Sequence, residues 1–190
     1  MRYASEGGVS DNNTHPFRFR FQEKDYIFAH NGTLKNYKQT LTLNGFQPNG
    51  ETDSEHLFCY LLSKIIDRNI SSWGNEDFLW FNEVLDKEVC PLGATNCIFS
   101  DGNLLFCYRD IKGRKRLNLT HRVSPYEIID LIDVDFTINL SEVKDDDEEG
   151  YIIATEPLTN PETWDEFEHG ELMVFKEGRI VFSSNNKHMP

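Results

Sequence analysis

Hydrophobic and polar positions alternate with a period of two at several places along the chain, and this alternation predicts β-strands. The run Phe-Arg-Phe-Arg-Phe at residues 17–21 is the clearest case, and a second strand over 26–30 makes the pair a hairpin. Asn31-Gly32 is a strong turn signal, so we expect the second strand to end there. The polar segment 33–43 that follows is a candidate short helix.

Helical periodicity marks two segments farther along. In the first, apolar residues at helical spacing follow Thr52 and Asp53, which are both candidate N-caps. Glu55 stands three residues after Thr52, where a capping box requires it. The second segment predicts a helix from 75 to about 89, with its apolar residues on one face. Both helices need a sheet or another helix to cover them.

Strand patterns return in the second half of the chain. Segments 94–99 and 104–108 flank Asp101-Gly102, which indicates a hairpin. Further strands are predicted over 116–121, 151–155, 172–175 and 179–182, whereas 126–140 is ambiguous. No repeat or linker separates these segments, so residues 1–190 predict one α+β domain.

Composition and charge narrow the possible partners. The 190 residues are 38% hydrophobic and 27% charged, which is typical of a soluble globular domain. A net charge of −13 repels a phosphate backbone, so we expect no nucleic-acid partner. The basic cluster Arg114-Lys115-Arg116 is interpreted as a solvated turn. No apolar run approaches a membrane span and no signal peptide is evident, so we expect a cytoplasmic protein without a membrane partner.

The cysteines and acidic residues predict no metal site. The four cysteines lie inside apolar stretches, at Cys59, Cys90, Cys97 and Cys107. Buried, reduced thiols are the simplest interpretation, because no metal-ligand spacing is present. Cys59 stands one turn from His56 and a Cys-His pair can form a nucleophile, but its apolar neighbours favour core packing. The acidic run 145–149 lacks the spaced ligands of a calcium loop and is interpreted as solvated.

Four short segments carry the candidate chemistry. They are Arg2-Tyr3-Ala4-Ser5, Thr14-His15-Pro16-Phe17, His30-Asn31-Gly32-Thr33-Leu34 and Glu51-Thr52-Asp53-Ser54-Glu55. Taken singly, each has an ordinary structural interpretation as a surface charge, loop, turn or helix cap. In this order and spacing they resemble the glutamine site of the class II glutamine amidotransferases, which belong to the N-terminal-nucleophile hydrolases. Residues 154–164 and 170–175 resemble the C-terminal signature of the stand-alone members of that family.

The resemblance implies an α+β fold, namely a partial four-layer αββα sandwich. It also implies that the protein hydrolyses a γ-glutamyl amide without a metal or organic cofactor. It implies that Arg2 binds the substrate α-carboxylate, because the planar guanidinium can donate to both carboxylate oxygens. It also implies that Asp53 pairs with the α-ammonium. The Asn31 side chain and the Gly32 N–H would form the oxyanion hole. Three further residues would line the pocket: Tyr3, Ser5 and His15. Free glutamine, glutathione and other γ-glutamyl compounds all fit such a site.

The sequence departs from the family at its start. The family nucleophile is a cysteine at the extreme N-terminus, several tens of residues before the arginine that Arg2 matches, and its own α-amine acts as the base. Because the sequence begins Met1-Arg2, we expect that cysteine to be absent from this chain.

Three explanations for this departure stay open. The sequence is a fragment or starts at an internal methionine, which we favour; a separate chain completes the fold; or the chain is a non-catalytic remnant that binds glutamine or glutamate. Missing core strands would expose apolar surface and sheet edges, which favours a homo-oligomer. A partner synthetase or transferase subunit that receives ammonia is a further alternative.

Overall fold

Twelve strands and three α-helices, with a few short 3-10 and π-helical turns, make up the regular structure of the described residues. In this computed structural model those are residues 8, 10–21 and 23–185. The strands are β1 (Phe17–Phe21), β2 (Lys24–Leu34), β3 (Gly93–Ser100), β4 (Leu105–Tyr108), β5 (Asn118–Val123), β6 (Ile128–Leu131), β7 (Thr137–Asn139), β8 (Glu149–Ala154), β9 (Thr159–Asn160), β10 (Asp165–Glu166), β11 (Leu172–Lys176) and β12 (Arg179–Ser183). The helices are α1 (Tyr37–Thr40), α2 (Asp53–Asp67) and α3 (Asn75–Val84).

A six-stranded antiparallel sheet forms the centre, in the order β1-β2-β3-β4-β11-β12. Two hairpins predicted from the sequence are confirmed, because β1 pairs with β2 and β3 with β4. The last two predicted strands also pair with each other, as β11 and β12. A second sheet has the order β10-β5-β8. The segment that was ambiguous in sequence supplies β6 and β7, which join β9 in a small third sheet.

The expectation that Asn31-Gly32 ends a strand is wrong. Strand β2 continues to Leu34, and both residues pair with β3, Asn31 opposite Asn96 and Gly32 opposite Thr95. Glycine is needed here for a different reason, since the two backbones approach closely at this point. The predicted helix over 33–43 is reduced to the single turn of α1.

Helix α2 begins where its capping residue predicts. The Thr52 hydroxyl accepts a hydrogen bond from the Glu55 N–H at 3.1 Å, which satisfies one of the free donors of the first turn. The reciprocal half of the capping box does not form, because the Glu55 carboxylate instead accepts from the N–H groups of Asn49 and Gly50.

The second predicted helix is shorter than expected as an α-helix. It ends at Val84 and continues as a π-helical turn, Leu85–Val89. Its predicted apolar face is confirmed, since all four members are buried: Phe78, Phe81, Leu85 and Val89.

Two hydrophobic cores lie on opposite faces of the central sheet. The larger core joins the sheet to α2 and α3 and is rich in aromatic rings, such as Phe28 and Phe58, which stack at 5.3 Å. The smaller core joins the sheet to β5 and its neighbours, with Leu119 and Phe167 packed near Met173. The described residues thus form helix, sheet and sheet layers, which is the partial αββα sandwich that we predicted.

The basic cluster is less solvated than expected. The Arg114 guanidinium contacts the buried Asp110 carboxylate at 3.0 Å and also donates to the carbonyl oxygen of Gly93. It therefore fastens the β4–β5 loop to the start of β3. None of the helices in the described ranges is both long and apolar enough to cross a membrane.

Candidate functional site

A cavity of about 340 Å³ lies between the central sheet and the second sheet. Strands β2 and β3 supply one wall, which includes Ala29, Asn31, Asn96 and Ile98. The opposite wall is mostly apolar and consists of Leu117, Ile153, Ala154 and Thr155. His15, a predicted site residue, also lines this cavity, so the structure brings it together with Asn31.

Asn31 lies on β2, is exposed, and its side chain is accessible to a ligand. Its neighbour across the strand pair, Asn96, is buried, and both ends of its amide are hydrogen-bonded. Its Oδ1 accepts from the Asp110 N–H at 3.0 Å, and its Nδ2 donates to the Arg116 carbonyl at 2.8 Å. Asn96 therefore anchors the β4–β5 loop beside the cavity. The sequence analysis missed it, because a single asparagine within a strand pattern carries no signal of its own.

Gly32 follows Asn31 on β2 and lies against the backbone of β3. A Cβ atom at this position would lie 1.8 Å from the Ala94 carbonyl oxygen and 2.5 Å from Nε2 of His30. Only a residue without a side chain fits between these atoms.

Asp53 is the first residue of α2 and is 3% exposed. Its Oδ2 accepts from the Leu34 N–H at 2.7 Å, and its Oδ1 accepts from the Ser54 N–H at 2.9 Å. The first of these bonds joins the helix directly to the end of the strand that carries Asn31 and Gly32. An ionised carboxylate offers about four acceptor positions, and the two backbone N–H groups occupy two of them.

The loop before α2 is held by two side chains. The Glu55 carboxylate accepts from the N–H groups of Asn49 at 2.9 Å and Gly50 at 2.6 Å, and the Asn13 Oδ1 accepts from the Glu51 N–H at 2.9 Å. Asn13 stands two residues before His15, so the segment that lines the cavity is tied to the start of the helix. The sequence analysis had assigned Glu55 only a capping role and had not singled out Asn13.

His30 is a buried residue of the site that the sequence analysis did not assign a role. Its Nδ1 lies 3.0 Å from the Ser54 Oγ, and its Nε2 lies 3.1 Å from the Ala94 carbonyl oxygen. Burial lowers the pKa of His30 below its usual range, and this effect outweighs the nearby negative charge of Asp53 and the bond to Ala94, which both raise the pKa.

The lowered pKa of His30 predicts acid-sensitive stability. The folded state binds a proton at His30 less readily than the unfolded state, so the free energy of unfolding should fall as the pH decreases below about 6.5. The fall should continue until the pH reaches the lower pKa of the folded state. Urea denaturation across this range should show a weaker pH dependence for His30→Gln than for the wild type. Identical dependence of stability on pH in His30→Gln and the wild type would contradict a lowered pKa of His30.

The four cysteine thiols are all buried. Burial raises the pKa of Cys59 to about 12, and it also raises the pKa of each of the other three. Within the described residues, the structure shows no hydrogen bond between His56 and Cys59, and the His56 Nε2 instead lies 2.8 Å from the Leu41 carbonyl oxygen. These thiols are poor nucleophiles, which agrees with their predicted structural role.

Three predicted site residues lie outside the described residues: Arg2, Tyr3 and Ser5. Their roles therefore stay predictions. No group of three or more potential metal-ligating side chains occurs in the part of the chain that the structure describes.

The helix, sheet and sheet layers, and the Asn-Gly strand joined to the start of α2, agree with the family resemblance noted in the sequence. The family model of class II glutamine amidotransferases matches residues 1–190. The chain belongs to that family.

Individual relatives agree with this assignment. A protein of Methanocaldococcus jannaschii, MJ1515, is 51% identical over 97% of this chain and 51% of its own length. The Escherichia coli protein named "Putative glutamine amidotransferase YafJ" is 35% identical over 95% of this chain and 69% of its own. A crystal structure of a predicted glutamine amidotransferase from Pseudomonas aeruginosa superimposes with a TM-score of 0.75 at 29% identity, over 92% of this chain and 66% of that one. The chain thus spans between about half and about two thirds of these proteins.

Proposed function

We propose that the complete protein hydrolyses the γ-glutamyl amide bond of glutamine or of a larger γ-glutamyl compound. The observation that carries this proposal is the hydrogen bond between the Asp53 carboxylate and the Leu34 N–H. It fixes an anionic group, suited to a substrate ammonium, to the strand that presents Asn31 and the Gly32 N–H to a developing oxyanion.

The chemistry follows from these groups together with a thiol nucleophile. A thiolate attacks the γ-carbonyl carbon, and the tetrahedral oxyanion accepts hydrogen bonds from the Asn31 amide and the Gly32 N–H. The C–N bond then breaks and the amine leaves with a proton. Water hydrolyses the γ-glutamyl thioester and releases glutamate. We assign the nucleophile to an N-terminal cysteine outside these 190 residues, because the four thiols described above are buried.

The remaining substrate groups are assigned to residues that match the family pattern. Arg2 would bind the α-carboxylate through two parallel hydrogen bonds, and Tyr3, Ser5 and His15 would line the pocket around it. A homo-oligomer, or a partner subunit that takes up the released ammonia, is compatible with this assignment.

Replacing Asn31 with alanine tests the proposed oxyanion hole. In the complete protein, we expect kcat for glutamine hydrolysis to fall about 10²-fold with a smaller change in KM, because the lost donor acts in the transition state. Release of glutamate from glutamine and of nitroaniline from γ-glutamyl-p-nitroanilide measures both substrate classes. Asn103→Ala, an exposed asparagine in the β3–β4 hairpin, is the matched control. Unchanged kcat in Asn31→Ala, or no hydrolysis of either substrate by the wild type, would overturn the proposal.

A second candidate function is binding without cleavage. It is favoured by the combination of four buried thiols with an accessible Asn31 and an ordered Asp53 carboxylate. Isothermal titration calorimetry of the 190-residue chain with glutamine distinguishes a binding module from an inert remnant. If this chain binds glutamine and the complete protein hydrolyses it, the first proposal stands. If the complete protein binds glutamine without hydrolysing it, the result favours this second function.

A further inference from the structure

His30 contacts both of the elements that build the proposed site. It precedes Asn31 on β2, yet its side chain points to the opposite face of the sheet and reaches Ser54 in the first turn of α2. Its other ring nitrogen reaches Ala94 on β3, beside Gly32. His30 is therefore placed to influence the strand and the helix start at the same time.

The hydrogen bonds of His30 determine its tautomer. A carbonyl oxygen can only accept, so Nε2 carries the proton and donates to Ala94. Nδ1 then has a lone pair and accepts from the Ser54 hydroxyl at 3.0 Å. The opposite tautomer would place two lone pairs against each other, 3.1 Å apart, at Ala94. The neutral imidazole therefore engages the single hydroxyl proton of Ser54.

The hydrogen bond from Ser54 to His30 determines which donors the Asp53 carboxylate accepts from. The Ser54 Oγ also lies 3.4 Å from the Asp53 Oδ1, but its proton is already directed to His30. Asp53 is consequently bonded by the backbone N–H groups of Leu34 and Ser54, and keeps lone pairs for a ligand. Without an acceptor at His30, the Ser54 hydroxyl would turn toward Asp53 and compete with that ligand.

We propose that His30 is a positioning residue, which holds the Ser54 hydroxyl away from Asp53 and so keeps the carboxylate available to the α-ammonium of a γ-glutamyl substrate. The inference rests on the proposed role of Asp53 but concerns a separate residue. It assigns His30 an effect on substrate affinity rather than on the chemical step.

Two substitutions at His30 separate its two hydrogen bonds. In His30→Gln the amide N–H can still donate to Ala94, but the amide oxygen then lies beyond the position of Nδ1, where Ser54 needs its acceptor. We therefore expect KM for glutamine to rise about tenfold while kcat changes less than about threefold. His30→Asn keeps an acceptor oxygen near the position of Nδ1, and its KM should stay within about threefold of the wild type.

A second-site change gives the decisive test. Adding Ser54→Ala to His30→Gln removes the competing hydroxyl, so KM should return toward the wild-type value even though another hydrogen bond is lost. A purely structural role predicts the opposite, a further loss. His56→Gln is the matched control, because His56 is as buried as His30, lies on α2 near Ser54, and its ring nitrogen bonds the carbonyl of Leu41. It should lower stability without raising KM.

The outcomes distinguish this inference from the proposed function. KM is measured on the complete protein, and the Kd for glutamine is measured by calorimetry on the 190-residue chain. If the wild type binds glutamine but does not hydrolyse it, the proposed hydrolysis fails and the Kd values still test His30. The inference is overturned if Ser54→Ala does not reverse the rise in KM caused by His30→Gln. It is also overturned if His30→Asn raises KM as much as His30→Gln does. A protein that neither binds nor hydrolyses glutamine or γ-glutamyl-p-nitroanilide overturns both.

Discussion

Replacing Gly32 with alanine should disrupt the pairing of β2 with β3 and abolish glutamine hydrolysis. The new Cβ would lie 1.8 Å from a backbone oxygen of Ala94, which no rotation of a side chain can relieve. Because a strand must shift, we expect a loss of at least about 3 kcal/mol in the free energy of unfolding. Urea denaturation of the 190-residue chain measures this change.

Gly150→Ala is the matched control for Gly32→Ala. Gly150 also lies in a strand, β8, but a Cβ there would meet nothing within 4 Å. This substitution should be neutral or should stabilise the protein by up to about 1 kcal/mol, since it reduces the freedom of the unfolded chain. Equal denaturation midpoints for the two variants would show that the strands adjust freely at Gly32.

Replacing Asp53 with alanine should lower kcat/KM for glutamine about 10³-fold and remove glutamine binding in calorimetry. The change deletes the charge that we assign to the substrate ammonium, and loss of one partner from a buried, charged hydrogen-bonded pair costs several kcal/mol. It also leaves the Leu34 N–H without the acceptor that joins strand to helix. Steady-state kinetics of the complete protein and calorimetry of the 190-residue chain measure the two effects.

Two further variants separate charge from structure at Asp53. Asp53→Asn retains an oxygen for the Leu34 N–H but has no charge, so it should fold well and still bind poorly. Asp67→Ala removes a carboxylate from the other end of the same helix, where it accepts only a surface hydrogen bond from Asn44. Asp67→Ala should bind glutamine with the same affinity as the wild type. Normal affinity in Asp53→Asn would mean that Asp53 has only a structural role.

Much of the fold is predictable from local sequence patterns. The alternating residues of β1 and the apolar spacing of α2 after Thr52 each depend on neighbours within a few positions, so a single stretch of sequence contains the information. The capping box was only half right, because Glu55 satisfies the loop before the helix rather than the N–H of Thr52. Local rules identify the free donors of a helix start but not which acceptor reaches which donor.

The error at Asn31-Gly32 has a long-range cause. The turn prediction assumed that glycine was needed for its backbone freedom, whereas the structure requires it because Ala94, far away in sequence, lies against it. Asn96, His30 and Asn13 were missed for the same reason, since their partners belong to other segments. Asp53 lies at the start of α2, as the helix-capping pattern predicted, although its bond to Leu34 could not be deduced from spacing alone.

The strand conformation of Asn31-Gly32 also affects how the protein ages. Asparagine followed by glycine is the dipeptide most prone to spontaneous deamidation, in which the glycine nitrogen attacks the asparagine side chain to form a cyclic imide. Ring closure needs a flexible backbone, and β2 holds both residues extended against β3. The folded chain should therefore preserve this amide, while partial unfolding in storage should convert Asn31 to aspartate or isoaspartate. Such a change would place a negative charge where we propose that an oxyanion forms.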